Sequence, residues 1–200
     1  VSAYTHNAKA SSAPTLEQQR SVFLKAWRAA SRGQWRTVAK YEQQLGQYPL
    51  TPYLRAEQLR TNPSLLSPSE MQAYLQRYQD WSFTPALKRK WLQHLARQRD
   101  YSNLIQYGQG SRETKLKCDV INAQIVTGDT AHIIPRIQQI WLHGESLPRN
   151  CDAPFKWLQK QQGISDALAW QRIELALNNG NYNLSRYLKR FLAPANKTWL

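Results

Sequence analysis

Residues 165–182 read SDALAWQRIELALNNGNY, and two readings compete for them. The pair Asn179-Gly180 is a strong short-range signal for a β-hairpin turn when strand-like residues flank it. Here they do not, because no stretch of the chain sustains an alternation of β-branched residues. Leu168, Ile173 and Leu177 recur instead at helical intervals behind Ser165, whose hydroxyl can cap a helix start. Gly180 then serves as the left-handed residue that ends a helix. The stretch predicts a helix, a tight turn and the start of another helix.

The same signals recur toward the N-terminus. Thr15 with Gln18 makes a capping-box pattern ahead of Val22, Phe23, Ala26, Trp27 and Ala30, which share an apolar face. Ser67-Pro68-Ser69-Glu70 supplies an N-cap hydroxyl, a proline at the first helical position and a carboxylate at the third. Thr84-Pro85 repeats the start before Leu87, Trp91, Leu92 and Leu95. Asp152 can cap a helix running through Phe155 and Leu158.

Turns of one kind separate these runs: Gly33-Gln34-Trp35, Arg99-Asp100-Tyr101, Gly128-Asp129-Thr130 and Gly180-Asn181-Tyr182. Each sets a turn-tolerant residue before a polar one and then a ring or hydroxyl, as at the joint of an antiparallel helix pair. Their spacings of 66, 29 and 52 residues exclude a strict tetratricopeptide array of about 34 residues per repeat while keeping its logic. The expected fold is all-α, about ten helices stacked as antiparallel hairpins into a curved solenoid. It is expected to occupy residues 15–200 behind a flexible, small and polar segment at 1–14.

Composition narrows the functional classes. The chain carries 27 basic and 13 acidic residues, a net +14, with 15 basic and six acidic side chains in residues 1–100 and 12 and seven in 101–200. The charge is spread, which favours acidic partners without marking a basic tail. Mean hydropathy is −0.66, and no segment approaches the roughly 20 apolar residues that span a bilayer. Eight Trp and ten Tyr suit helix packing first, and sugar or base stacking second.

Chemistry-bearing motifs are scarce. There is no glycine-rich phosphate loop and no Gly-x-Ser-x-Gly nucleophile. The histidines (His6, His94, His132 and His143) do not pair at metal-ligand spacing, so no metal or cofactor is expected. Among the acids, Glu70 is best explained as a cap, and Glu174 is expected to face water or an arginine such as Arg172. Cys118 and Cys151 would be reduced core thiols in a reducing compartment or one staple in an oxidising one.

Two segments resemble the U-shaped N-terminal domain of the soluble lytic murein transglycosylase family. The first is Tyr48-Pro49-Leu50-Thr51-Pro52-Tyr53-Leu54, followed by Gln58-Leu59. The second is Ile140-Trp141-Leu142-His143-Gly144-Glu145-Ser146-Leu147-Pro148-Arg149-Asn150-Cys151-Asp152, then Phe155. Between them Leu95-Ala96-Arg97, Tyr101, Leu104 and Cys118 fall in the family's order. The likeness runs over about residues 16–190 and rests on these two motifs, the second being the more specific.

The resemblance implies a right-handed α-superhelix, a periplasmic location, a precursor with a signal peptide, and a Cys118–Cys151 disulfide. In the family a separate lysozyme-like C-terminal domain cleaves the MurNAc–GlcNAc bond to give 1,6-anhydromuramoyl ends. Its acid/base glutamate sits in a Glu-Ser pair with a Gly-Leu-Met-Gln motif further on. This chain has Glu145-Ser146 but no Gly-Leu-Met-Gln, and its only Met is Met71. Glycosidic cleavage needs a carboxyl group held in a cleft against the scissile oxygen, whereas Glu145 is expected to be solvated on a turn. No catalytic residue is therefore expected here, and the apolar end at Trp199-Leu200 suggests that the natural chain continues. The implied partners are the protein's own catalytic domain and, through weak electrostatics, the carboxylates of peptidoglycan. Nucleic acid is not expected, and the alternative is a stand-alone helical-repeat adaptor for a periplasmic protein.

Overall fold

A computed structural model describes residues 14–199. The expected flexible segment at 1–14 therefore falls outside the described residues, except for Pro14. Eleven α-helices and four short 3-10 turns are present among the described residues, with no strand. The all-α expectation holds. Contacts divide the chain into two compact units, one ending at Lys88 and one beginning at Arg89.

The first unit contains α1 (Leu16–Ser31), α2 (Trp35–Leu45), α3 (Thr51–Thr61) and α4 (Pro68–Arg77). The predicted capping boxes are formed. At the start of α1, Gln18 N–H donates to Thr15 Oγ1 at 3.3 Å, and Thr15 N–H donates to Gln18 Oε1 at 2.9 Å. At α4, Ser67 N–H donates to Glu70 Oε2 at 2.8 Å. These bonds satisfy amides that a helix start would otherwise leave unpaired. The same Ser67 contacts hold the Glu70 carboxyl below its ordinary range.

Phe23, Ala26, Ala29 and Ala30 of α1 bury against Val38 and Leu45 of α2 and Leu54 of α3. Small alanines let α1 and α2 approach closely. Trp27, expected on this face, is 38% exposed and lies at its edge, its ring 6.2 Å from that of Phe23. The Tyr48–Leu54 motif forms the entry to α3. Tyr48 is buried with its ring 5.4 Å from Phe23, and its carbonyl accepts from the Thr51 hydroxyl at 2.8 Å.

A second aromatic group gathers in this unit from Tyr53, Tyr74, Tyr78, Trp81 and Phe83, with neighbouring centroids 4.8–6.2 Å apart. The Tyr74 hydroxyl donates to the Pro52 carbonyl at 3.0 Å. These rings pack on one another half-buried, so packing is what most of their area does.

The second unit contains α6 (Tyr101–Gly108), α7 (Thr114–Thr127), α8 (Ile133–Trp141), α9 (Asp152–Lys160), α10 (Asp166–Asn178) and α11 (Tyr182–Leu188). The division point falls within α5 (Thr84–Gln98), on which Leu87, Trp91, Leu92 and Leu95 are buried as the spacing predicts. In the second unit α6 packs on α7, α8 on α9, and α10 on α11.

Three of the four predicted turns share one geometry. Gly33, Arg99 and Gly180 take the left-handed conformation, with φ of +70°, +58° and +69°. The next amide then bonds a carbonyl five residues back: Gln34 to Ala29 at 3.0 Å, Asp100 to Leu95 at 3.0 Å, and Asn181 to Ala176 at 2.7 Å. That next residue is already the N-cap of the following helix. One left-handed residue thus ends a helix and aims the next. The Gly128 turn is longer. Asp129 accepts from the Gln124 side chain at 3.0 Å instead of capping, and α8 begins only at Ile133.

Asp152 also departs from expectation. It is the first residue inside α9, whose N-cap is Cys151, and it makes no side-chain cap bond. The preceding 3-10 turn, Arg149–Cys151, already sets the chain in the helical conformation, so no separate capping residue precedes α9.

Cys118 of α7 and Cys151 are bonded, with an Sγ–Sγ distance of 2.02 Å and a separation of 33 residues. Both are fully buried. Their neighbours repeat the tie, since Asn150 Nδ2 donates to Asp119 Oδ1 at 2.5 Å. Burial pushes the Asp119 carboxyl above its ordinary value, opposed by the Asn150 bond and the nearby Lys115.

Two outcomes are expected. The double variant Cys118→Ala/Cys151→Ala should lose about 3–4 kcal/mol of stability through the extra chain entropy of the unfolded state, read from urea unfolding. Because the folded Asp119 binds its proton more tightly than the unfolded chain does, its contribution is present below the ordinary carboxylate value of 3.8 and is lost as pH rises through the higher folded value. The Tm of Asp119→Asn relative to the native protein should therefore climb with pH across that window.

Candidate binding cavity around Arg172

The Trp141–Cys151 segment leaves α8 and returns to the bridged Cys151 as a loop laid over α10. Its course depends on Gly144. A Cβ there would sit 2.5 Å from the Leu175 carbonyl oxygen and 2.5 Å from Asn179 Nδ2. Backbone meets backbone at this point, which only glycine permits. The neighbouring His143 carbonyl accepts from Arg172 Nε at 3.1 Å.

Arg172 comes from the inward face of α10, together with Ala169, Ile173 and Ala176. It is only 5% exposed. Its guanidinium carbon lies 4.6 Å from the Trp141 ring centroid and 5.8 Å from that of Phe155. No carboxylate pairs with it among the described residues. Glu174, two residues on and on another face of the helix, is exposed, so of the two expectations for it the one that faces water holds, while Arg172 lies inside.

Magnitudes show how unusual this is. Withdrawing a cation from water costs several kcal/mol even after relaxation. A desolvated cation–π contact returns about 2 kcal/mol, and a charged hydrogen bond about 1.5–3 kcal/mol. Those two contacts occupy the guanidinium face and Nε. Among the described residues the two Nη nitrogens have no protein acceptor, and since no fully buried polar atom lacks a partner there, these donors reach the cavity. Desolvation lowers the guanidinium to about 10, opposed by the nearby Tyr187, so it stays charged at neutral pH.

Arg172 lines a cavity of about 530 Å³. Trp141, Phe155 and Phe191 supply apolar wall, and Gln159, Asn181 and Asn183 supply amides. Lys156 and Asp152, both exposed, stand at the rim. A second cavity of about 410 Å³ lies near Lys117 and Arg136. There the arginine has an acceptor, with Arg136 Nη1 donating to Gln124 Oε1 at 2.8 Å.

Sequence reading placed the Trp141–Asp152 motif correctly and missed the role of Arg172. The signal was present: Ala169, Arg172, Ile173 and Ala176 repeat at i, i+3, i+4 and i+7, which puts the arginine on the buried face. Glu145 is exposed on the loop, its amide donating to His143 Nδ1 at 3.2 Å. No group of three or more His, Cys, Asp or Glu side chains could hold a metal ion among the described residues.

Comparison with known proteins gives a consistent picture. The chain is 29% identical to the soluble lytic murein transglycosylase of Escherichia coli over 176 residues, 86% of this chain and 27% of that protein. It is 29% identical to the Salmonella typhimurium protein of the same name over 189 residues, 90% of this chain and 28% of the other. It thus spans little more than a quarter of the curated relatives it matches. In fold it resembles the 70 kDa soluble lytic transglycosylase of E. coli, with a TM-score of 0.81, 23% identity, and coverage of 92% of this chain and 30% of the other. An inactive mutant of a lytic transglycosylase from Pseudomonas aeruginosa superposes with a TM-score of 0.74 and 26% identity, covering 86% and 28%. The resemblance read from the two motifs holds in sequence and in fold. A family model described as cucumovirus coat protein also matches residues 111–200. It spans less than half of the chain, and nothing in the site speaks for it.

Gly144→Ala should test the backbone approach. With carbonyl and amide atoms 2.5 Å from the added methyl, the loop must lift. The expected loss is about 1–3 kcal/mol, visible as a lower urea midpoint with an unchanged slope.

Proposed function

We propose that this chain is a non-catalytic helical scaffold of a periplasmic peptidoglycan lytic transglycosylase. In this reading the parent enzyme cleaves the MurNAc–GlcNAc bond to give 1,6-anhydromuramoyl products during cell-wall turnover. The present chain supports the catalytic domain and guides murein toward it. The observation that carries the reading is the coincidence of two comparisons: most of this chain matches soluble lytic murein transglycosylases both in sequence and in fold.

Three further features support it. The only Glu-Ser pair, Glu145-Ser146, is on an exposed loop, away from the enclosed carboxyl that glycosidic cleavage needs. The +14 balance suits a polymer whose peptide stems carry free carboxylates. A buried disulfide belongs with an oxidising compartment such as the periplasm. No helix is long and apolar enough to cross a membrane among the described residues. No observation favours the stand-alone adaptor.

Sedimentation with insoluble sacculi tests the murein part. The chain should co-sediment at low ionic strength and be released as salt shortens the screening length from about 10 Å at 0.1 M to about 3 Å at 1 M. It should release no anhydromuramoyl product by itself. Absence of binding at low salt would sink the guiding role.

A further inference from the structure

We propose that the Arg172 cavity is a binding site for the free α-carboxylate of a short peptide, of the kind that murein stems present. The source of the peptide rests on the function proposed above. The carboxylate chemistry rests on the cavity alone.

The central observation is a buried cation without a counter-ion among the described residues. Arg172 is 5% exposed, is held by Trp141 and the His143 carbonyl, and lines the cavity, with no described protein acceptor for its Nη donors. A planar guanidinium fork matches a carboxylate in bidentate geometry. The other titratable groups of the cavity fix the charge of the ligand. Lys156 adds one positive charge at the rim and Asp152 removes one, while Tyr187 is a phenol. One net positive charge remains, which suits a monoanion better than a phosphate ester.

The walls fit what would be attached to that carboxylate. Phe155 and Phe191 offer an apolar surface for a small side chain. Asn181 and Asn183 carry donors and acceptors that a peptide unit can use. At about 530 Å³ the space lies within the usual range of small-ligand sites, about 300–1,000 Å³. The loop that contributes Ser146 and Leu147 to its lining is held by the Cys118–Cys151 bridge and by Gly144 against α10, so the site is built before any ligand arrives.

The experiment is titration of the whole chain with N-acetyl-D-alanyl-D-alanine, its C-terminal amide, and the all-L dipeptide, followed by NMR shifts at the Arg172 side chain and the Asn181 and Asn183 amides. The D-dipeptide acid should bind, at least as tightly as the all-L form, and the amide should not. Arg172→Lys keeps the charge but loses the fork, and should weaken binding about tenfold or more. Lys156→Glu, on the exposed rim, should weaken it about threefold or more without disturbing the fold. Equal binding of acid and amide, no binding of either, or affinity unchanged in Lys156→Glu would overturn the site. Tighter binding of the all-L dipeptide would overturn its assignment to murein. Sacculus co-sedimentation separates the two proposals. Retention of sacculi without dipeptide binding leaves the scaffold standing and removes the cavity site. Dipeptide binding without retention does the reverse.

Discussion

The second unit depends on how residues 141–151 are pinned. Four attachments hold that segment: the Cys118–Cys151 bond, the Asn150 hydrogen bond to Asp119, the close backbone approach at Gly144, and the Arg172 hydrogen bond to the His143 carbonyl. The first two join the segment to α7, and the other two join it to α10. A loop of this kind has few backbone hydrogen bonds of its own, so it needs such partners to keep one conformation. The attachments also cooperate. The bridge limits where the loop can go, the missing Cβ lets it settle on α10, and the settled carbonyl takes one donor of a buried arginine.

That arrangement explains why a long stretch of the motif is built from residues that look unrelated. Trp141 is a cation–π platform, Gly144 a point of contact, and Cys151 an anchor. None of them needs to perform catalysis. Glu145, the one residue in the stretch that invites a catalytic reading, is exposed.

Elsewhere the chain solves one problem repeatedly. A helix end leaves carbonyls unpaired and a helix start leaves amides unpaired. At Gly33, Arg99 and Gly180 a single left-handed residue handles both, because the next amide reaches back five residues while its own residue opens the following helix. Arg99 shows that glycine is preferred at this position and not obligatory. The short turns that result let consecutive helices pack as pairs, as α1 does on α2 and α10 on α11.

The sequence by itself determined the class of fold, most helix starts, the turns and the resemblance, because each rests on local chemistry: caps, left-handed residues and 3.6-residue periodicity. Ser165, Ser67 and Gly180 act as their local context dictates. Asp152 does not, because the preceding 3-10 turn moves the helix boundary by one residue. Only the tertiary structure decided the fate of Arg172. Its helix face was legible, but its partners come from His143, Trp141 and Phe155, distant in sequence and brought together by the pinned loop. Whether a buried arginine is neutralised or left open to a ligand depends on what folds against it, and no local pattern encodes that.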